Sequence, residues 1–156
     1  MEPISWQKAK YYIETNQLHL LARNEDQHKI YIKEMDLVKQ KYKSIGDHIY
    51  HNILHYDVIN ENNKLVAVCK NSNKEKLMVL VLNNYPYYFE SNITQYVLWS
   101  ITQIDENNIK SILEEKLPYI LNKPFVKHNY DYMYWINPIQ LKSVENIWHC
   151  HVIIKN

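Results

Sequence analysis

The sequence predicts an α+β fold: N-terminal helices packed on an antiparallel sheet of about five strands, with one crossing helix, in the order β-β-β-α-β-β. Three observations carry this. Up to about His55, apolar residues recur every three to four positions behind capping residues, as in amphipathic helices. From Lys64 the period shortens, and runs rich in β-branched and aromatic residues take over. A single helical stretch, capped by Asp105, then separates the third of these runs from the last two.

Each element has its own reason. Ser5 can cap a first helix through Trp6, Ala9, Tyr12 and Ile13. Asn16 and Gln17 break it. Asn24 with Gln27 makes a capping box for a second helix, whose apolar stripe is Tyr31, Met35, Val38 and Tyr42. Ser44 and Asp47 repeat the pattern for a third, running to about His55 with Ile45, Ile49, Ile53 and Leu54 inside. His48, His51 and His55 share one side of that helix and read as a polar, solvent-facing stripe. Leu65–Lys70 and Lys76–Asn83 are expected to pair as a hairpin across Asn71–Lys74. Gln95–Ile101 is the next strand, reached through the aromatic turn Tyr85–Phe89. The crossing helix presents Ile109, Ile112, Leu113 and Leu117 and should stop at Pro118. Tyr132–Asn137 and Ile147–Lys155 complete the sheet. One domain is expected over 1–156, with a helical region at 1–56 and the sheet core at 63–156.

Composition narrows the function classes. Hydrophobic residues make up 46% of the 156, enough for a real core. The net charge is +1 with lysines spread along the chain, so neither nucleic acid nor an anionic membrane is called for. No apolar run approaches the ~20 residues of a membrane span. Gly46 is the only glycine, which excludes P-loop and dinucleotide fingerprints. Cys69 and Cys150 lie in predicted strands without Cys-x-x-Cys spacing, so a reducing, cytoplasmic setting is expected. The bias towards Asn, Lys, Ile and Tyr fits AT-rich coding, as in some protists, low-GC bacteria or large DNA viruses; for a viral chain the setting is the host cytoplasm.

The segments Ser5-Trp6, Leu21-Ala22-Arg23, Tyr42-Lys43-Ser44-Ile45, Asn84-Tyr85-Pro86-Tyr87, Gln95 to Ser100, and Asn137-Pro138 through Ser143-Val144 to His149-Cys150-His151-Val152 run in one order along nearly the whole chain. In this the sequence resembles the fungal N-acetylglucosamine-induced protein family, small domains with no established biochemical activity. More distantly, the β-β-β-α-β-β half resembles the histidine-triad superfamily, whose members hydrolyse or transfer nucleotidyl groups. That likeness implies a ribose-contacting role for Asn83, three residues before Pro86. It puts Gln95 where a strand histidine is usual, and Asn137 and Ser143 as phosphate donors ahead of His149 and His151. Two parts of the pattern differ: Ile147 and Ile153 stand where a third histidine would, and Pro138-Ile139-Gln140-Leu141 replaces a glycine-rich phosphate turn.

The chemistry centres on the His-x-His pair. In a strand His149 and His151 share a face, and Cys150 points to the other. An imidazole can attack phosphorus when a neighbour fixes its tautomer, so His149 or His151 is a candidate nucleophile. Tyr85, Tyr87 or Trp99 would stack on a base. One reading is a nucleotidyl hydrolase or transferase. Another is a module that binds a nucleotide or phosphorylated small ligand on this core with the reaction lost. A third is a non-catalytic protein-interaction domain, with both histidines hydrogen-bonded in the sheet. A two-His-one-carboxylate metal set with Asp131 or Glu90 is a further alternative, though no spacing selects the carboxylate. No metal and no cofactor is assigned.

Overall fold

The computed structural model describes residues 1–68, 77–122, 131–144 and 146–156. Its elements are α1 (Trp6–Glu14), α2 (Glu25–Lys41), α3 (Ile45–Asn52), β1 (Asp57–Glu61), β2 (Lys64–Val68), β3 (Met78–Leu82), β4 (Ile93–Ser100), α4 (Glu106–Leu121), β5 (Asp131–Trp135) and β6 (Trp148–Lys155), with short 3-10 turns at Leu18–Leu20 and Ile139–Leu141. The four caps are in place. Ser5 Oγ accepts from Lys8 N–H at 3.2 Å. Asn24 and Gln27 form both halves of their box at 2.8 and 3.0 Å. Ser44 Oγ accepts from Asp47 N–H at 3.0 Å, and Asp105 Oδ1 from Asn107 N–H at 2.9 Å. Each satisfies an orphan donor of a first helical turn.

The main sheet is antiparallel, in the order β3-β4-β6-β5, with β4 and β6 central. Residue parity separates its two faces. Leu80, Leu98, Cys150, Val152 and Ile154, all even, pack with Ile109, Leu113 and Leu117 of α4. Odd residues face the N-terminal helices: Ile93, Trp135 and Ile153 meet Ala9, Leu18 and Leu21, while Val97, Trp99 and Ile147 meet Ile49 and Leu54. Helices therefore cover both faces of the sheet, and the central strands β4 and β6 are largely buried on both sides.

Three local expectations are corrected. Of the expected strand Leu65–Lys70, the described residues Leu65–Val68 do not pair with the strand that follows. β2 pairs instead with β1, in a separate two-stranded sheet with Glu61 opposite Lys64. Asn62 and Asn63 form the two-residue turn at φ 52° and 65°, the left-handed geometry of a type I′ hairpin that asparagine tolerates. The expected turn at Asn71–Lys74 and Cys69 lie outside the described residues. α3 ends at Asn52, short of His55. α4 runs through Pro118 to Leu121, and Asn122, left-handed at φ 50°, closes it with its N–H on the Pro118 and Tyr119 carbonyls. Leu117 is fully buried immediately before the proline, which holds the last turn against the sheet. The α+β class, the N-terminal helices on the sheet and the single crossing helix stand as expected.

Candidate functional site

A cavity of about 420 Å³ lies between the odd face of the sheet and the N-terminal helices. Strand residues form its floor: Val81, Val97, Trp99, His149 and His151. Asn83 and Tyr85 follow β3, and Asn137 and Ser143 come from the segment between β5 and β6. Every predicted site residue lines it except Gln95, which is buried one layer behind. The register explains the grouping, since Trp99 lies opposite His149 and Val97 opposite His151 on neighbouring strands.

The two histidines occupy different environments. His149 is buried, and its Nδ1 lies 2.8 Å from the Ile147 carbonyl oxygen. A carbonyl only accepts, so the proton sits on Nδ1 and Nε2 carries the lone pair. Among the described residues Nε2 has no hydrogen-bond partner, while the ring lies on Trp99 with centroids 4.6 Å apart. Burial lowers the His149 pKa, the carbonyl bond opposes that shift, and Lys142 adds to it. Trp99 was expected to stack on a base; its ring is against His149.

His151 has a side-chain amide nitrogen beside each ring nitrogen. Gln95 Nε2 is 3.1 Å from Nδ1, and Asn137 Nδ2 is 3.1 Å from Nε2. Neither amide can turn over. Gln95 Oε1 accepts from the Tyr87 N–H at 2.7 Å, and Asn137 Oδ1 from the Trp135 indole N–H at 3.0 Å. His151 thus faces two amide NH₂ groups: the neutral ring accepts from one through its bare nitrogen while its single N–H faces the other, and a cationic ring would point a proton at each. Burial, with repulsion from His149 and Arg23 behind it, takes its pKa from the usual 6.5 to about 3. Of the two, His149 is the one whose geometry suits attack or acceptance; His151 belongs to the wall.

The other predicted residues have definite positions. Asn83 Oδ1 accepts from the Tyr85 N–H at 2.9 Å, so its carbonyl is spent on the aromatic turn. Tyr85 packs edge-on against Tyr31 at 5.5 Å, and Ser143 is exposed at the rim. Cys150 lies on the opposite face, fully buried, and burial pushes its thiol up to about 12. Among the described residues no three His, Cys, Asp or Glu side chains come together, so Asp131 and Glu90 complete no set with the histidines. No helix of the described residues is long and apolar enough to cross a membrane.

The N-terminal helices bring residues that sequence reasoning did not assign. Arg23 lines the cavity, donates through Nε to the Tyr85 carbonyl at 2.9 Å, and lies 4.1 Å above the Tyr31 ring and 5.3 Å from the Tyr87 ring. Burial lowers its pKa. No carboxylate pairs with it among the described residues, and no acidic side chain of those residues lines the cavity. One signal was available: Arg23 is the chain's only arginine, every other strong cation being lysine. A planar, always-charged fork is needed where lysine will not serve. His48, expected to face solvent, lines the far end with Asn52, beside the α3 stripe Ile45, Ile49 and Ile53.

A cavity without a carboxylate among the described residues, with a stacked arginine and a bare imidazole nitrogen, lies between helices and a four-stranded sheet. The chain belongs to DUF3605, a family of proteins of unknown function whose model matches residues 5–155. It is 29% identical over 177 aligned residues to N-acetylglucosamine-induced protein 1 of Candida albicans, covering 99% of this chain and 69% of that protein. The resemblance to the N-acetylglucosamine-induced proteins thus holds over nearly the full length. A crystal structure of a protein designated HTC1 is similar with a TM-score of 0.62, over 97% of this chain and 85% of that one, at 18% identity. That likeness concerns the fold.

Proposed function

We propose that the cavity binds a nucleotide or another phosphorylated small ligand. The observation that carries this is Arg23: a partly buried guanidinium facing a cavity without one acidic side chain among the described residues. Burying a cation without a counter-ion is costly. Stacking on Tyr31 offsets part of that cost, a contribution of about 0.5–2 kcal/mol. A phosphate in the cavity would supply the missing charge, and the fork of Arg23 suits it bidentately. At the far end Ile45, Ile49, Ile53, Val81, Val97 and Val144 would take an uncharged ring, so a nucleotide fits better than a sugar phosphate. A volume of about 420 Å³ lies within the range of small-molecule sites, ~300–1,000 Å³.

The test is calorimetric titration of AMP into the wild type and Arg23→Gln, with thermal shift as a second readout. Binding raises the melting temperature by linkage. Micromolar to low-millimolar affinity in the wild type, lost in Arg23→Gln, is expected. No heat and no shift at 10 mM AMP, a concentration on the order of the weakest useful linkage, would end the proposal.

A second reading, nucleotidyl hydrolysis or transfer, is favoured by one further feature: the Nδ1–H of His149 is tied to a carbonyl, which turns the Nε2 lone pair out. Nε2 would attack the α-phosphorus as the bond to the leaving group breaks with its electron pair. Water would then cleave the P–N bond and restore the imidazole. The distant histidine-triad resemblance of the sequence would imply the same step. Adenosine 5′-phosphoramidate and dinucleotides are the substrates to try. Turnover should vanish in His149→Ala, and turnover that survives that change would remove the nucleophile.

A further inference from the structure

The phosphate end of the cavity is not its limit. A second chamber of about 190 Å³ adjoins it, and Arg23, Tyr87, Asn137, Leu141 and Ser143 line both. These shared residues form a neck. Beyond it the second chamber is walled by Leu18, Leu21 and Ala22 and carries two imidazoles, His19 and His28. Here too the lining, among the described residues, holds no carboxylate.

Hydrogen-bond bookkeeping shows which atoms the neck offers. Asn137 Oδ1 is committed to the Trp135 N–H, so its Nδ2 points at the Tyr87 hydroxyl and donates to it at 2.9 Å. The Tyr87 oxygen is therefore an acceptor within the wall, and its own proton is left to donate outward. Among the described residues nothing accepts it. Arg23 spends Nε on the Tyr85 carbonyl, which leaves the terminal N–H groups of its fork. The neck is thus a ring of donors, and it leads into a chamber whose polar groups are again two imidazoles.

We infer that the second chamber is a subsite for a second anionic group, so that the ligand is of the nucleoside diphosphate class, with the α-phosphate at the Arg23–Tyr87 neck and the terminal phosphoryl between His19 and His28. This rests on the phosphorylated-ligand reading above and adds the length of the ligand to it. The geometry suits that class in three respects. Donors line the neck on both its sides. The second chamber has less than half the volume of the first, which suits a phosphoryl rather than a second nucleoside. And the apolar end by α3 lies on the other side of the neck from the imidazoles, so a ligand apolar at one end and anionic at the other is matched end for end.

The experiment compares AMP with ADP by calorimetry on the full chain, in wild type and in the double variant His19→Ala/His28→Ala. Both histidines are exposed, so the variant leaves the core and the first chamber untouched. ADP is expected to bind the wild type at least ten-fold more tightly than AMP, and the double variant to bring ADP back to the AMP value while AMP itself is unchanged. Equal affinity for the two nucleotides in the wild type overturns the subsite and leaves the first chamber standing. An ADP advantage that persists in the double variant overturns the assignment to His19 and His28. If neither nucleotide binds the wild type, both readings fall together.

Discussion

The two faces of the central sheet are built from the same strands, one residue apart, and differ in nearly every physical respect. On the even face Leu98, Cys150 and Val152 have no exposure at all and lie under α4 in an apolar layer. On the odd face Gln95, His149, His151 and Asn137 are buried too, yet each is polar and most of their atoms are tied to fixed partners. Three of the four, His149, His151 and Asn137, line the cavity, and Gln95 lies against His151. Buried polar groups cost stability unless each finds its partner. The even face is the apolar core of the sheet, and the odd face is the one on which we propose that a ligand sits.

The sharpest way to stress the comparison is to damage the even face. Leu113→Ala in α4 removes a fully buried side chain and should cost about 2–5 kcal/mol in denaturant unfolding. The affinity for AMP of the protein that remains folded should not change. Loss of affinity in step with stability would mean that the faces are coupled.

On the odd face the expected cost is smaller and of a different origin. His151→Leu keeps the volume but removes the acceptor between Gln95 and Asn137, whose orientations are fixed by Tyr87 N–H and Trp135 N–H. A buried donor without an acceptor costs about 1–3 kcal/mol. The unfolding free energy should drop by that amount, and Tyr87 should lose its place beside Arg23, which weakens AMP binding as well.

The same residue gives a pH signature. The His151 pKa in the folded chain is about 3 against an ordinary 6.5, so between those values the unfolded chain binds more protons than the folded one. Stability therefore rises with pH across that window; the contribution is complete above about 6.5 and is lost as pH falls towards 3. The lowered pKa of His149 acts in the same direction. Melting temperatures measured from pH 7 down to pH 4 should fall, and His151→Leu should flatten the slope. A slope unchanged by that substitution would contradict the buried neutral ring.

The smallest effect on stability belongs to Arg23. Replacing an unpaired, partly buried cation by glutamine removes a desolvation cost together with the Tyr31 stacking, so the unfolding free energy should move by less than about 1 kcal/mol. Binding of AMP should nevertheless be abolished. Stability kept and affinity lost in one variant is the behaviour of a residue placed for a ligand.

What the sequence could reveal followed the range of the interactions. The caps at Ser5, Asn24, Ser44 and Asp105 are local chemistry and were legible. So was the strand parity that sets His149 and His151 apart from Cys150. The β1–β2 hairpin was missed because its turn is Asn62-Asn63, without the glycine that usually marks the left-handed pair. Arg23 was missed for a different reason. Its place depends on the Tyr85 carbonyl 62 residues away, a tie that no period or spacing announces. The choice between the two histidines was equally out of reach, because it depends on which ring nitrogens find partners across strands.

His149 turns a bare Nε2 into the cavity that we propose takes a phosphate, and imidazole ¹⁵N NMR of the labelled chain tests this most directly. With His149 assigned by His149→Ala, its Nδ1 should carry the proton, and its Nε2 resonance should move on titration with AMP while the nitrogens of His151 keep their neutral pattern. A protonated Nε2 on His149, or a resonance that stays still up to millimolar AMP, would contradict it.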